Sequence, residues 1–147
     1  MKISYKSDYA LKAVLDLALC YEGREPVSIQ DTAKRIDAPV KFLEQIFSSL
    51  KTYGIIESRR GSSGGYLLAR SPEKITVGEI IRLIEGPTEP ISCVKQDYTG
   101  CNEIFTCVFR SLWQDVHQAT SRIIDNINFR DLALRYDSAR NITTFSI

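Results

Sequence analysis

Residues 28–69 read SIQDTAKRIDAPVKFLEQIFSSLKTYGIIESRRGSSGGYLLA, and the change of period within them decides the fold. Ser28-Ile29-Gln30-Asp31 resembles a capping box, a hydroxyl followed three residues later by a side chain that can reach back. Ile29, Ala33 and Ile36 then repeat at helical spacing. Asp37-Ala38 makes a tight turn, and another helix begins near Pro39. Its core face is Val40, Leu43, Ile46, Phe47 and Leu50, its other face Lys41, Gln45, Ser48 and Lys51, and Gly54 stops it. The period then drops to two. Ile55–Arg60 and Tyr66–Ala69 are β-like and are joined by the turn Gly61-Ser62-Ser63-Gly64-Gly65.

Upstream, one more helix runs from about Ser7 to Tyr21, with Leu11, Val14, Leu15 and Ala18 on one face, Ser7 as N-cap and Gly23 just past its end. Three helices followed by a hairpin is the order of a winged helix-turn-helix, in which the third helix enters the DNA major groove. The candidate base and phosphate contacts are therefore Lys41, Gln45 and Ser48, with Lys51 nearer the backbone. Arg59 and Arg60 stand at the entrance to the glycine-rich turn. A close-approaching wing can insert an arginine, Arg60 first, into a narrow minor groove.

Downstream, Thr76-Val77-Gly78-Glu79 is a second capping box, opening a helix that ends at Gly86-Pro87. The stretch from Pro87 to Thr106 reads as loop, and structureless loops of that length are uncommon unless they carry function. Helical pattern resumes from about Val108 to Asn126, with Phe109, Leu112, Trp113, Val116, Ile123, Ile124 and Ile127 apolar. A helix of that size is about 30 Å long. One small domain cannot cover its stripe, which predicts a dimerisation helix and a homodimer. A short helix, Arg130–Tyr136, and a polar tail complete the chain. The expected fold is mainly α with a small β-hairpin wing. Residues 1–86 form the winged helix-turn-helix, 87–107 the cysteine loop, 108–136 the dimerisation helix and last helix, and 137–147 the tail.

Composition sets the bounds. The 147 residues carry a net charge of +1, with 44% hydrophobic and 25% charged residues, an ordinary globular balance. Residues 1–70 hold eleven Lys/Arg against eight Asp/Glu, and the remainder eight against ten, so the mildly basic half is the one expected to meet DNA. No apolar run approaches the length that spans a bilayer, and the first residues have no signal core, so a cytoplasmic protein without membrane contact is expected.

Cys93, Cys101 and Cys107 fall within fifteen residues of a polar loop, poor material for a core. In a reducing compartment such a group reads as metal ligands or redox thiols rather than as permanent disulfides. The spacing matches neither the paired cysteines of common zinc sites nor the tight ferredoxin run. Widely spaced thiolates can wrap a larger object than one ion, which favours an iron–sulfur cluster, 2Fe–2S or 4Fe–4S, with a further ligand from elsewhere. Cys20 is expected in the core, and His117, the only histidine, at a surface or interface.

Several segments together resemble the bacterial winged-helix regulators that include IscR and NsrR. They are Tyr5-Lys6-Ser7-Asp8-Tyr9-Ala10, Phe42-Leu43-Glu44-Gln45-Ile46-Phe47, Arg60-Gly61 with Gly64-Gly65-Tyr66-Leu67-Leu68, and Cys107 with Leu112-Trp113. The resemblance covers nearly the whole chain. It implies a dimeric transcription regulator that binds operator DNA and senses cluster state, nitric oxide, iron or thiol oxidation. IscR-like members have a histidine three residues after the last cysteine. Here that position is Arg110, which cannot lose its proton and cannot ligate. NsrR-like members share the longer first spacing and use an aspartate early in the first helix, contributed by the partner subunit, and Asp8 matches that position. The resemblance thus implies a nitric-oxide-responsive repressor with Cys93, Cys101, Cys107 and Asp8 as metal ligands. Alternatives of the same fold are a cluster-free thiol–disulfide switch, an iron–sulfur homeostasis regulator and a zinc-stabilised regulator. A small cluster carrier would lack use for the basic wing. No nucleophile–base pair or phosphate loop is present, so an enzyme is not expected.

Overall fold

The computed structural model describes residues 2–145 and contains six α-helices and one two-stranded antiparallel sheet. α1 spans Tyr5–Leu19, α2 Ile29–Ile36, α3 Val40–Thr52 and α4 Val77–Glu85. The strands β1, Ile56–Arg59, and β2, Gly65–Leu68, lie between α3 and α4, and α5, Val108–Ile124, and α6, Phe129–Phe145, close the chain.

α2 and α4 are each capped by the hydroxyl half of the expected box. Ser28 Oγ accepts from the Asp31 amide at 3.1 Å, and Thr76 Oγ1 accepts from the Glu79 amide at 3.2 Å. These satisfy amides that the first turn leaves without partners. The α2–α3 turn is made by Asp37 in the left-handed region, at φ 53°, a conformation that aspartate tolerates better than bulkier residues. The first helix departs from expectation. Its N-cap is Ser4, whose Oγ accepts from the Ser7 amide at 3.2 Å, and Ser7 itself is buried inside the first turn. Two serines three residues apart can each cap, and burial of Ser7 against α4 selects the earlier one.

α1, α2 and α3 meet the sheet around one core. Ala10, Ala13, Val14, Leu43, Ile46, Phe47, Leu50 and Ile55 are fully buried there, and Phe47 packs edge-on against Tyr66 at 4.7 Å between ring centres. Ile56 pairs with Leu68 and Arg59 with Gly65. Val27 adds a short bridge to Tyr66, with amide–carbonyl distances of 2.9 and 2.8 Å, so the wing's root is stitched to the segment before α2. A Cβ at Gly65 would collide with the Val27 carbonyl, which explains glycine there.

Ile75 and Val77 bond across to Phe129 and Ile127, fixing the α5–α6 junction to the same body, and Phe129 reaches the core. The residues expected as a tail are instead helical as far as Phe145. No glycine or proline follows Phe129, and the hydroxyls of Ser138, Thr143 and Thr144 fold back onto carbonyls one turn earlier at 2.9–3.0 Å. With no helix breaker in this stretch, the polar residues stay helical to the end of α6. No helix among the described residues is long and apolar enough to cross a membrane.

Candidate functional site

The recognition helix α3 divides by face. Leu43, Ile46, Phe47 and Leu50 go into the core, which leaves Lys41, Gln45, Ser48 and Lys51 exposed on the other side. Lys51 Nζ donates to Ser58 Oγ of β1 at 2.7 Å, tying the end of α3 to the wing. Arg59 and Arg60 are exposed where β1 enters the turn, and the turn is closed by a 3.0 Å bond from the Gly64 amide to the Gly61 carbonyl. Arg59 has only a 3.9 Å approach to Glu57, and Arg60 has no carboxylate partner among the described residues. A cation with no internal partner is free to pair with phosphate or with a groove. Beside α3, Tyr5, Tyr9, Pro39, Lys41, Phe42 and Gln45 line an apolar hollow in which Tyr9 and Phe42 meet edge to face. Tyr5 is 82% exposed at the rim of this hollow.

The cysteine loop follows α4. It contains one turn of 3-10 helix, Ser92–Val94, which packs against α5, and Val94 is buried there. Cys93 and Cys107 are half-buried, Cys101 is exposed, and all three thiols are free. Cys107 is the residue before α5 and gives that helix no side-chain cap. Three unpaired thiols on a solvent-reachable loop suit a thiophilic metal in kind. They are not gathered in place. Among the described residues, no three His, Cys, Asp or Glu side chains stand together so as to hold a metal ion.

Asp8 lies in the first turn of α1 and is half-exposed, paired with Lys12 at 2.7 Å. That carboxylate, through the hydrogen bond first, raises Lys12 above the usual lysine range. Among the described residues, Asp8 belongs to no group of three or more His, Cys, Asp or Glu side chains that could hold a metal ion. Cys20 packs against the core, and burial followed by nearby Asp16 pushes its thiol up, the opposite of a reactive thiolate. His117 lies on the inner face of α5, and its Nδ1 has no hydrogen-bond partner among the described residues.

Three polar links were not legible from sequence. Glu85 Oε1 accepts from the Ser4 amide at 2.9 Å and from Ser7 Oγ at 2.6 Å, clamping the end of α4 onto the start of α1. Arg82 holds Asp125 with two bonds of 2.5 and 3.0 Å, joining α4 to α5. Arg110 Nε donates to the Cys93 carbonyl at 2.8 Å. A fourth, Asp16 with Arg35 and Thr32, pins α1 to α2, and its one sequence sign is an acid set among apolar residues of α1.

The Rrf2 family, described as "Iron-dependent Transcriptional regulator", matches residues 3–135. The HTH-type transcriptional regulator CymR of Bacillus subtilis is 33% identical over 147 residues, covering all of both chains. The solved structure titled "The Structure of CymR (YrzC) the Global Cysteine Regulator of B. subtilis" superposes with a TM-score of 0.77 at 34% identity, covering 92% of this chain and 98% of that one. The HTH-type transcriptional regulator IscR of Serratia proteamaculans (strain 568) is 33% identical over 137 residues, covering 93% of this chain and 82% of that protein.

Proposed function

The chain belongs to the Rrf2 family of transcriptional regulators, and from that premise we propose a homodimeric repressor that senses nitric oxide, or redox and iron status, through an iron–sulfur cluster held by its cysteine loop. It is a DNA-binding regulator and not an enzyme. The NsrR-like subtype follows the resemblance at Asp8 and Arg110, and the cluster reading itself is supported by one observation. Cys93, Cys101 and Cys107 are all free, on one loop that abuts a helix whose apolar face is open to solvent.

That face supports the dimer. Phe109 and Ile123 are 63% and 62% exposed, and Val108, Leu112 and Val116 are exposed with them. A second copy covering this face would bring another subunit close to the loop, and Asp8 of that subunit is the candidate fourth ligand. When bound, the cluster supplies iron that reacts with nitric oxide or oxygen. The chain's own residues supply the connection to DNA. The loop begins directly after Glu85, and Glu85 grips the first turn of α1, where Asp8 stands. A change in loop position is thereby felt at α1 and at the core that α1 shares with α3. The coupling is a population shift between head geometries that differ in contacts to the loop. Arg60, Arg59, Lys41, Gln45, Ser48 and Lys51 make the DNA contacts.

The test is anaerobic purification with iron and sulfide quantification, an absorption spectrum and an operator-binding assay before and after nitric oxide. Stoichiometric iron and sulfide with a nitric-oxide-dependent change in binding are expected. A metal-free protein with unchanged binding overturns the reading. Asp8→Ala should keep a cluster with an altered spectrum, and Asp8→Cys should slow its reaction with nitric oxide. Wild-type behaviour in both variants removes Asp8 from the ligand set.

A second reading, a thiol–disulfide switch without a cluster, is supported by the free, solvent-reachable thiols of the loop. Peptide mapping after mild oxidation separates it, since it requires a reversible disulfide between loop cysteines that controls DNA affinity.

A further inference from the structure

We propose that Arg110 is the peg that seats the cysteine loop, holding the Cys93 turn on α5 and so fixing the reach between Cys93 and Cys107. The proposal rests on the reading of this loop as the sensory element, but it holds whether the thiols carry a cluster or work bare.

Between Pro87 and Thr106, the backbone hydrogen bonds are all local, from Val94 to Ile91, Lys95 to Ser92, Tyr98 to Lys95 and Thr106 to Glu103. Among the described residues, the 2.8 Å bond from Arg110 Nε to the Cys93 carbonyl is the one side-chain hydrogen bond that ties this loop's main chain to a helix. The 3-10 turn holding Cys93 is also the part of the loop that packs on α5, with Val94 buried beneath it. Arg110 lies one helical turn beyond Cys107 and is itself half-buried. It reaches back from the helix that starts at one cysteine to grip the backbone of another.

Among the described residues, the guanidinium of Arg110 has no other hydrogen-bond partner. No carboxylate lies within ion-pair distance of Arg110 among the described residues, so its directional donor is spent on the loop. A charged donor to a carbonyl in a half-buried seam makes a stronger bond than a neutral one. Arginine suits this because Nε–H sits on a rigid plane and holds direction, whereas a lysine ammonium is a swivelling point charge. Cys101 has no such anchor and is the exposed member of the three. The loop is therefore pegged at Cys93, rooted at Cys107 and free between, an arrangement in which the middle cysteine can swing while the outer pair keeps its spacing.

The experiment is timed alkylation of the reduced, metal-free, full-length protein with iodoacetamide, read cysteine by cysteine by mass spectrometry. Arg110→Ala should speed labelling of Cys93 on the order of tenfold, the change expected when a charge-assisted bond no longer opposes loop opening. Cys20, in the head, is the internal control and should keep its wild-type rate. Arg110→Lys should restore part of the protection, and Arg110→Met none. An unchanged Cys93 rate in Arg110→Ala overturns the proposal, as does a parallel rise at Cys20, which would mean general loosening. Iron and sulfide content after reconstitution of the wild type reads the cluster separately. A metal-free wild type with Cys93 freed by Arg110→Ala sinks the cluster and keeps the peg. A loaded wild type with no labelling change does the reverse.

Discussion

The DNA-reading head and the cysteine-loop arm solve the same problem, keeping apolar surface from water, in opposite ways. In the head, α1, α3 and the strands bury Leu43, Ile46, Phe47, Leu50 and Ile55 against one another within a single chain. In the arm, α5 carries as large an apolar stripe, but Ile124, next to the head, is its one buried residue. Phe109, Leu112, Trp113 and Val116 face outward, and the loop beside them is held by local turns and one arginine. The head closes its apolar surface within one chain, whereas α5 leaves its own open. On the proposed reading a second subunit completes the arm, whose order can then depend on a signal.

The sharpest way to break that comparison is at the sulfurs. Cys93→Ala, Cys101→Ala and Cys107→Ala should each abolish or badly destabilise the bound cluster, measured as iron and sulfide per chain, while Cys20→Ala should not. The head's thermal midpoint should barely move in any of the three loop variants, since none of these thiols enters its core. Full loading in one variant removes that residue from the ligand set.

Next in size is a matched pair of aromatic truncations. Phe47→Ala removes a fully buried ring from the head and should cost about 3–5 kcal/mol in denaturant unfolding. That is a large part of what an ordinary domain possesses, so the unfolding midpoint should fall sharply. Phe109→Ala truncates a ring that is mostly exposed and should leave the unfolding midpoint of the monomeric head nearly unchanged while weakening self-association in sedimentation. If Phe109→Ala lowers the midpoint as Phe47→Ala does, the two regions share one cooperative unit and the contrast drawn here fails.

Smaller again is Arg60→Ala, expected to weaken operator binding by about 1–3 kcal/mol in fluorescence anisotropy, with fold and metal content intact. Normal binding would take the wing out of the interface.

These predictions draw unequally on what was readable in the sequence. The head was legible because its signals are local. The 3.6-to-2 change of period at Gly54–Ile55, the hydroxyls of Ser28 and Thr76 three residues before an acid, and the glycine turn of the wing each act within a few residues. The arm was legible as chemistry, three cysteines in a polar loop beside an apolar helix, but not as geometry. On the proposed reading, convergence of the thiols would require loop closure and a second subunit, and neither leaves a local pattern. The longer links were silent for the same reason. Glu85 meets Ser4 across 81 positions and Arg82 meets Asp125 across 43, and nothing near either acid names its partner. Arg110 could be read as unable to ligate, but its grip on the Cys93 carbonyl is a backbone contact, and backbone acceptors look alike in a sequence. Polarity alone reads as a tail in the C-terminal segment, whereas the absence of glycine and proline allows α6 to continue to Phe145.

The smallest expected effect lies at the seam between head and arm, in the Glu85 clamp. Hydrogen bonds from Ser4 and then Ser7, with help from nearby Lys6, hold the Glu85 carboxyl below its ordinary value of 4.5. A depressed carboxyl stabilises the folded state when ionised. The contribution is present above the unfolded value and is lost as pH falls through the folded one. Glu85→Gln keeps an acceptor for the Ser4 amide and the Ser7 hydroxyl but removes the charge. The variant should therefore melt slightly below the wild type near neutral pH, and the gap should close as pH falls below 4.5, where the wild-type side chain also becomes neutral. Thermal unfolding of both proteins across that range checks it. Because the clamp joins α1 to the residue before the cysteine loop, the same variant should also blunt the response of DNA binding to the loop's state, more than it lowers DNA affinity itself. A gap that stays constant with pH would show that the carboxylate's charge plays no part in holding α4 to α1. The seam would then be mechanical, held by shape and neutral hydrogen bonds alone.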